Sequence, residues 1–150
     1  MRYDFTPEQL AWRDEVRAFV RDHLTPPLLD ELRESGNEGQ GPLAREFVLK
    51  LRDRGWWGLP WPAEYGGLGR SALEQWIFVD ELEGAGAPML PLTVTSVAPT
   101  LMRVGSEAQK QYWLPKIKAA EVDFALGYSE PEAGTDLASL RMRAVLDGDT

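Results

Sequence analysis

From Trp12 onward apolar residues return every three or four positions, at Trp12, Val16, Phe19, Val20 and Leu24, which lays one stripe along a helix. Thr6-Pro7-Glu8-Gln9 opens it with a hydroxyl at the N-cap, a proline whose missing N–H costs nothing, and Gln three residues on to complete a capping box. Pro26-Pro27 is expected to end it. From Leu28 through Pro42 an acidic run is followed by Gly36, Gly39 and Gly41, the profile of a surface connection. A second helix is predicted from Leu43 to Arg54, burying Phe47, Val48 and Leu51, with Gly55 as its C-terminal cap residue.

The next stretch, from Trp56 to Gly69, carries two prolines, Pro60 and Pro62, four glycines, three tryptophans and Tyr65. Such a composition excludes regular structure and is too apolar to float in water, so a packed loop is expected. Ser71-Ala72-Leu73-Glu74 repeats the capping-box pattern and opens a third helix through Trp76, Ile77, Val79 and Leu82, stopping at Gly84-Ala85-Gly86. Between Thr93 and Val104 no charge occurs until Arg103, and Val94, Val97, Leu101 and Val104 fall at helical spacing, which predicts an element buried on most sides. Its hydroxyls, Thr95, Ser96 and Thr100, fit bonding to their own i−4 carbonyls, the favoured explanation, or lining a ligand cavity. Gly105-Ser106-Glu107-Ala108-Gln109 caps a last helix running to Pro115.

After Glu121 the pattern changes period. Asp123 to Tyr128 reads as a short strand, Leu140 to Leu146 alternates apolar with basic residues, and Asp147-Gly148 is a hairpin signal with its return strand starting at Asp149 and Thr150. The organisation expected is therefore mainly α: a helical domain over 1–120, bundle-like and up-and-down, then the opening strands of a β domain over 121–150. One or two strands are not stable alone, so the chain is expected to be a truncated portion of a longer protein.

Composition narrows the function classes. The net charge of −8 disfavours nucleic acid, whose binding draws its affinity from Lys and Arg. With no cysteine, disulfides, thiolate catalysis and zinc–thiolate sites are excluded. The single histidine, His23, sits where a helix dipole favours a polar ring and lacks the partners of a metal site. No apolar run reaches membrane-span length and no signal segment is present, so the expected location is the cytoplasm. Ser129 lacks a Gly-x-Ser-x-Gly setting, Gly66-Gly67-Leu68-Gly69 lacks the strand and lysine of a phosphate loop, and the carboxylates Asp30, Glu31, Glu34, Glu81 and Glu83 read as solvated faces.

Tyr128-Ser129-Glu130-Pro131-Glu132-Ala133-Gly134-Thr135-Asp136 is the segment with chemistry to offer. Pro131 fixes a turn, Ala133 and Gly134 remove bulk, and hydroxyls at Ser129 and Thr135 flank the bend, so a ligand can approach the backbone. The chemistry fits equally a plain turn in which Asp136 caps the residues after it.

That segment resembles the flavin-binding signature of the acyl-CoA dehydrogenase family, usually Thr-Glu-Pro-x-Ala-Gly-Ser-Asp, with each hydroxyl exchanged for the other kind and Glu132 where many members have Gly. Phe5-Thr6-Pro7-Glu8-Gln9, Gly55-Trp56-Trp57-Gly58-Leu59, Pro62 to Gly69, Gly105 to Lys110 and Leu114-Pro115 resemble the family in the same order. The wording is similar to actinobacterial members, some of which take bulky or steroid-derived CoA thioesters as paired unlike subunits.

The resemblance implies an all-helical N-terminal domain entering a β-barrel-like middle domain, and FAD as cofactor. It assigns Ser129 to the pyrimidine side of the flavin, Thr135 to the pyrophosphate and the nearby pantetheine, Gly134 to the same bend, and Leu126 and Tyr128 to the wall. Ser96, with Thr95 and Thr100, becomes a neighbour of the acyl pocket. Members oxidise an acyl-CoA to its 2,3-enoyl-CoA, pass electrons to an electron-transfer flavoprotein or similar acceptor, and assemble as homo- or hetero-oligomers, dimeric or tetrameric. Their catalytic glutamate lies mostly in the C-terminal domain, so no carboxylate here takes that role, and Glu130 is a structural part of the turn. The alternatives are a non-catalytic partner subunit and a flavin monooxygenase or nitroalkane oxidase on the same fold.

Overall fold

The computed structural model describes residues 4–35, 41–88 and 90–148. Helices α1 (Pro7–His23), α2 (Pro26–Glu34), α3 (Pro42–Asp53), α4 (Ala72–Gly84), α5 (Ala98–Val104) and α6 (Glu107–Lys118) form its body. Short 3-10 turns occupy Ala63–Tyr65 and Leu137–Ser139, and a π turn at Thr93–Val97 runs into α5. Thr6, Ser71 and Ser106 each close the capping box expected of them, satisfying N–H groups that a helix start leaves unpaired. Pro115 does not end α6, which continues to Lys118.

The connection expected over Leu28 to Pro42 is instead helical through Glu34. The proline pair that stops α1 begins α2, because both rings sit at first-turn positions whose N–H has no helical partner. Leu28 and Leu32 then enter the core. Gly36 and Gly39 lie outside the described residues. Glu31, expected on a solvated face, instead meets the start of α3: its carboxylate accepts from the Leu43 N–H (3.1 Å) and the Ala44 N–H (2.7 Å). It thereby supplies α3 with the cap that Gly41 at its N-cap lacks. Glu81 is likewise no free carboxylate, since the Arg17 Nε donates to it across α1 and α4 at 2.8 Å.

Two apolar clusters form. Trp12, Val16, Phe19, Phe47, Trp56 and Phe78 lead the first, and Trp57, Trp61, Val94, Ala98, Leu114 and Ile117 the second. The loop that joins them begins at the end of α3, where the Gly55 N–H bonds the Arg52 carbonyl and the Trp56 N–H bonds Leu51. That pair of bonds needs a left-handed residue at Gly55, whose φ is +75°. The chain emerges with Trp56 in one cluster and Trp57 in the other. The Trp12 indole donates to the Glu74 carbonyl (2.9 Å), Trp57 to Ile117 (2.9 Å) and Trp61 to Val94 (3.2 Å), so these three indole N–H groups are paired.

The strands expected at Asp123 to Tyr128 and Leu140 to Leu146 are not formed: neither stretch carries a ladder among the described residues, where the sole bridge joins Glu130 and Ala133. Without neighbouring edges to pair with, Met142, Val145 and Leu146 remain more than four-fifths exposed. Gly148 has φ +64°, as the Asp147-Gly148 turn requires, while Asp149 and Thr150 lie outside the described residues.

Gly58 tests the loop's packing. It has φ +76°, and a Cβ there would lie 2.6 Å from the Trp61 ring. Gly58→Ala is expected to lower stability by about 2 to 5 kcal/mol, from left-handed strain plus overpacking. At Gly69, with φ +60° and open space around it, alanine incurs only the conformational cost of about 1 to 2 kcal/mol. Urea midpoints of the two variants measure the difference; equal losses would refute the packing argument.

Candidate functional site

The segment that carries the signature is held by a residue the sequence did not single out. Thr93 is the buried polar residue of the described core, 1% exposed, and its hydroxyl accepts from the Phe124 N–H at 2.7 Å. Its place follows from the π turn. Pro99 has no N–H to close an ordinary turn on the Thr95 carbonyl, and the Ala98 N–H bonds Thr93 one residue further back. The inserted residue shifts the phase of the stretch, so Thr93, Val94 and Ala98 face inward while Val104 is 73% exposed. Burial on most sides, expected for 93–104, is thus corrected to a one-sided element. Its bracketing prolines, Pro91 and Pro99, were the available signal.

On its other side the segment grows from α6. The Glu121 N–H bonds the Lys116 carbonyl and the Ala120 N–H bonds Ile117, a terminus that places Ala120 at φ +55°. An alanine in that conformation costs about 1 to 2 kcal/mol, offset here by its burial against Trp57 and Ile117 in the second cluster. Val122 and Phe124 pack on the same cluster, and the Phe124 ring meets Trp113 edge-on at 5.2 Å. Beyond this anchor the chain runs outward through Leu126 and Tyr128, 45% and 63% exposed.

At the bend, Glu130 and Ala133 exchange backbone hydrogen bonds of 3.1 Å in both directions around Pro131 and Glu132. The Glu130 carboxylate then accepts from the Arg141 N–H (2.9 Å) and the Met142 N–H (2.7 Å). Two charge-assisted bonds to consecutive amides fasten the later segment to the bend, the structural part foreseen for Glu130. Asp136 does not cap with its side chain; its carbonyl accepts from the Ser139 N–H and hydroxyl instead.

Ser129, Gly134 and Thr135 are all exposed. Among the described residues neither hydroxyl has a hydrogen-bond partner, nor do the N–H groups of Gly134 and Thr135. A Cβ at Gly134 would meet nothing within 4 Å. The bend therefore presents unused donors on open backbone. Ser96 lies on the π turn three residues from Thr93, exposed, and its carbonyl accepts from the Thr100 hydroxyl (2.9 Å). The Thr95 hydroxyl bonds the Pro91 carbonyl (3.2 Å), so two of these three hydroxyls are satisfied four residues back. No hydrogen bond joins Ser96 to Ser129 or Thr135 among the described residues; Thr93 and Phe124 are the link between the two groups.

Thr95 also borders a slot of about 10 Å³ beside Trp56, Phe78 and Leu90, which holds no more than a water. A far larger groove, about 610 Å³, opens between Tyr65, Arg52 and α6. No group of three or more metal-ligating side chains occurs among the described residues, and none of their helices is long and apolar enough to cross a membrane.

Residues 6–121 match the family model described as "Acyl-CoA dehydrogenase, N-terminal domain". The chain belongs to the acyl-CoA dehydrogenase family. It is 48% identical to the acyl-CoA dehydrogenase FadE26 of Mycobacterium tuberculosis, an alignment covering 99% of this chain and 38% of that protein. Among solved structures it resembles the ChsE4-ChsE5 complex of the same organism, with 48% identity, a TM-score of 0.84, and coverage of 99% of this chain and 37% of the other. It also resembles the Tcur3481-Tcur3483 steroid ACAD, with 46% identity, a TM-score of 0.85, and coverage of 99% and 38%. The chain thus spans under two-fifths of the length of the relatives it matches.

The donor set at the bend fits the cofactor of an acyl-CoA dehydrogenase: free hydroxyls and N–H groups suit an anionic oxygen or the polar edge of a flavin, and the bare Gly134 admits close approach. The anchor behind the bend is testable. Thr93→Val leaves the Phe124 N–H without an acceptor and is expected to cost about 1 to 3 kcal/mol, while Thr93→Ser keeps most of the stability. Thermal unfolding of the full-length protein reads both; equal losses in the two variants would contradict the assignment.

Proposed function

We propose that these residues are the N-terminal part of an FAD-dependent enzyme that desaturates an acyl-CoA thioester to its 2,3-enoyl-CoA. The observation that carries the proposal is the bend at Ser129 to Asp136, whose free donors stand on open backbone at the end of a segment pinned by Thr93. FAD, when bound, supplies the acceptor for the hydride of such an oxidation. Ser129 and its neighbouring amides hold the pyrimidine side of the ring, and Thr135 with the Gly134 amide holds the pyrophosphate. Leu126 and Tyr128, exposed here, wall the ring and exclude water from it. Thr135 also meets the pantetheine of the substrate, and Ser96 borders its acyl group. No carboxylate of this chain is assigned proton abstraction: Glu130 is committed to two backbone amides and Glu31 to the start of α3.

The acyl group proposed is bulky and steroid-derived, supported by the likeness to a steroid ACAD. The same likeness, with that to a two-component complex, supports a second reading in which this chain pairs with an unlike subunit that carries the base. An electron-transfer flavoprotein or similar carrier in the cytoplasm is the proposed acceptor.

The visible spectrum of the full-length protein, alone and with co-expressed partner candidates, is the test. Flavin absorbance that bleaches anaerobically with steroid-derived acyl-CoA, yielding enoyl-CoA, is expected. Bleaching that appears only with a partner assigns the subunit role; oxygen consumption without enoyl-CoA, or no flavin in any preparation, overturns the proposal. Thr135→Val is expected to weaken FAD binding by about 1.5 to 3 kcal/mol, the loss of a hydrogen bond to a charged group. Unchanged FAD affinity in that variant refutes the residue's assignment.

A further inference from the structure

The sequence has four lysines, and three of them are engaged as cations. Lys50 pairs with Glu46 at 2.7 Å, Lys110 with Glu107 at 2.9 Å, and the Lys116 ammonium lies 3.7 Å from the centre of the Tyr112 ring. Lys118 differs in its hydrogen-bond partners. Its amine donates to the Trp57 carbonyl and, at 3.5 Å, to the Gly55 carbonyl, and no carboxylate is within ion-pair distance among the described residues. Its stem crosses Gly66, where an added Cβ would lie 3.5 Å from Cε, and the side chain borders the 610 Å³ groove.

The charged and titratable groups around it are Arg52 of α3, Glu64 and Tyr65 of the 3-10 turn, and Glu107 and Lys110 of α6, with the Trp61 ring 5.8 Å from the amine. Of these, Glu107 is spent on Lys110. Burial pushes the Lys118 amine below the usual lysine range, whereas the carboxylate of Glu107 raises Lys110. The Lys118 amine gives two N–H groups to the Gly55 and Trp57 carbonyls, and on losing its third proton it keeps both bonds and gains a lone pair for a carbon electrophile.

We propose that Lys118 is a self-acylation site, taking the acyl group of an acyl-CoA thioester that enters the groove beside it. The nitrogen attacks the thioester carbonyl carbon, the N–C bond forms as the C–S bond breaks, and the amine proton leaves with the CoA thiolate as free thiol. No oxidant or further reactant is required. The product amide has one N–H for two carbonyls and no charge, so acylation loosens the tie between α6 and the tryptophan loop. A thioester-handling protein would in this way register the level of its own substrate class. The thioester donor rests on the function proposed above; the reactivity of the amine does not.

The full-length protein is incubated at mildly alkaline pH with acetyl-CoA, and in parallel with the N-hydroxysuccinimide ester of acetic acid, and each lysine is quantified by peptide mass spectrometry. Acetyl-CoA has no β-carbon, so its reaction is independent of any dehydrogenation, which flavin bleaching reads separately. Lys118 is expected to acquire acetyl several-fold faster than Lys50 with both probes, and its rate to level off at lower pH than that of Lys110. Lys118→Arg abolishes that signal and leaves Lys50, Lys110 and Lys116 unchanged. Modification of Lys118 no faster than Lys50 overturns the proposal, and selectivity for the ester but not for acetyl-CoA overturns the thioester step.

Discussion

Two neighbouring indoles that face opposite ways hold this domain together. Trp56 packs edge-on against Trp12 at 5.0 Å in one cluster, and Trp57 enters the other with its N–H on the Ile117 carbonyl. Aromatic burial of this size is among the larger stabilising contributions a domain of this length can make, and here both contributions come from one point of the backbone. The constraint reaches outward from that point. Trp57 fixes the end of α6, Trp61 fixes the π turn through the Val94 carbonyl, and those two elements are the ones that carry the segment of the candidate site.

The bend is thus positioned from two sides by a loop with almost no regular structure of its own. From α6 it inherits direction through the left-handed Ala120, and from the π turn it inherits depth through the Thr93 hydroxyl. Neither control touches Ser129, Gly134 or Thr135, which stay free to meet a ligand. Hydrogen-bonding capacity that the protein leaves unused at the end of a well-anchored segment is what a cofactor site requires, and it accords with membership of the acyl-CoA dehydrogenase family.

What the sequence disclosed was local and periodic. Thr6, Ser71 and Ser106 announce helix starts because a capping box lies within four residues, and Gly55 announces a stop because only a left-handed residue closes that terminus. What it concealed depended on partners distant along the chain or on a break in phase. Pro26-Pro27 looks the same as a stop or a start, and Leu32 settles the matter only by finding the core. Glu31 looks solvated until α3 is brought against it. Thr93 is one hydroxyl among several until Pro99 forces the wide turn that buries it. The strands expected after Glu121 are set by pairing, which local pattern cannot supply. The signature segment was legible as an open turn, while its anchor was not.

The central claim is that the bend is a cofactor-contacting turn controlled through Thr93 and α6. Amide hydrogen exchange on the full-length protein, with FAD bound and after its removal, tests it most directly. The account predicts that removal raises exchange in 124–136 and in 93–97, while 7–23 in the first cluster stays protected. Exchange in 124–136 that is the same with and without FAD would contradict it.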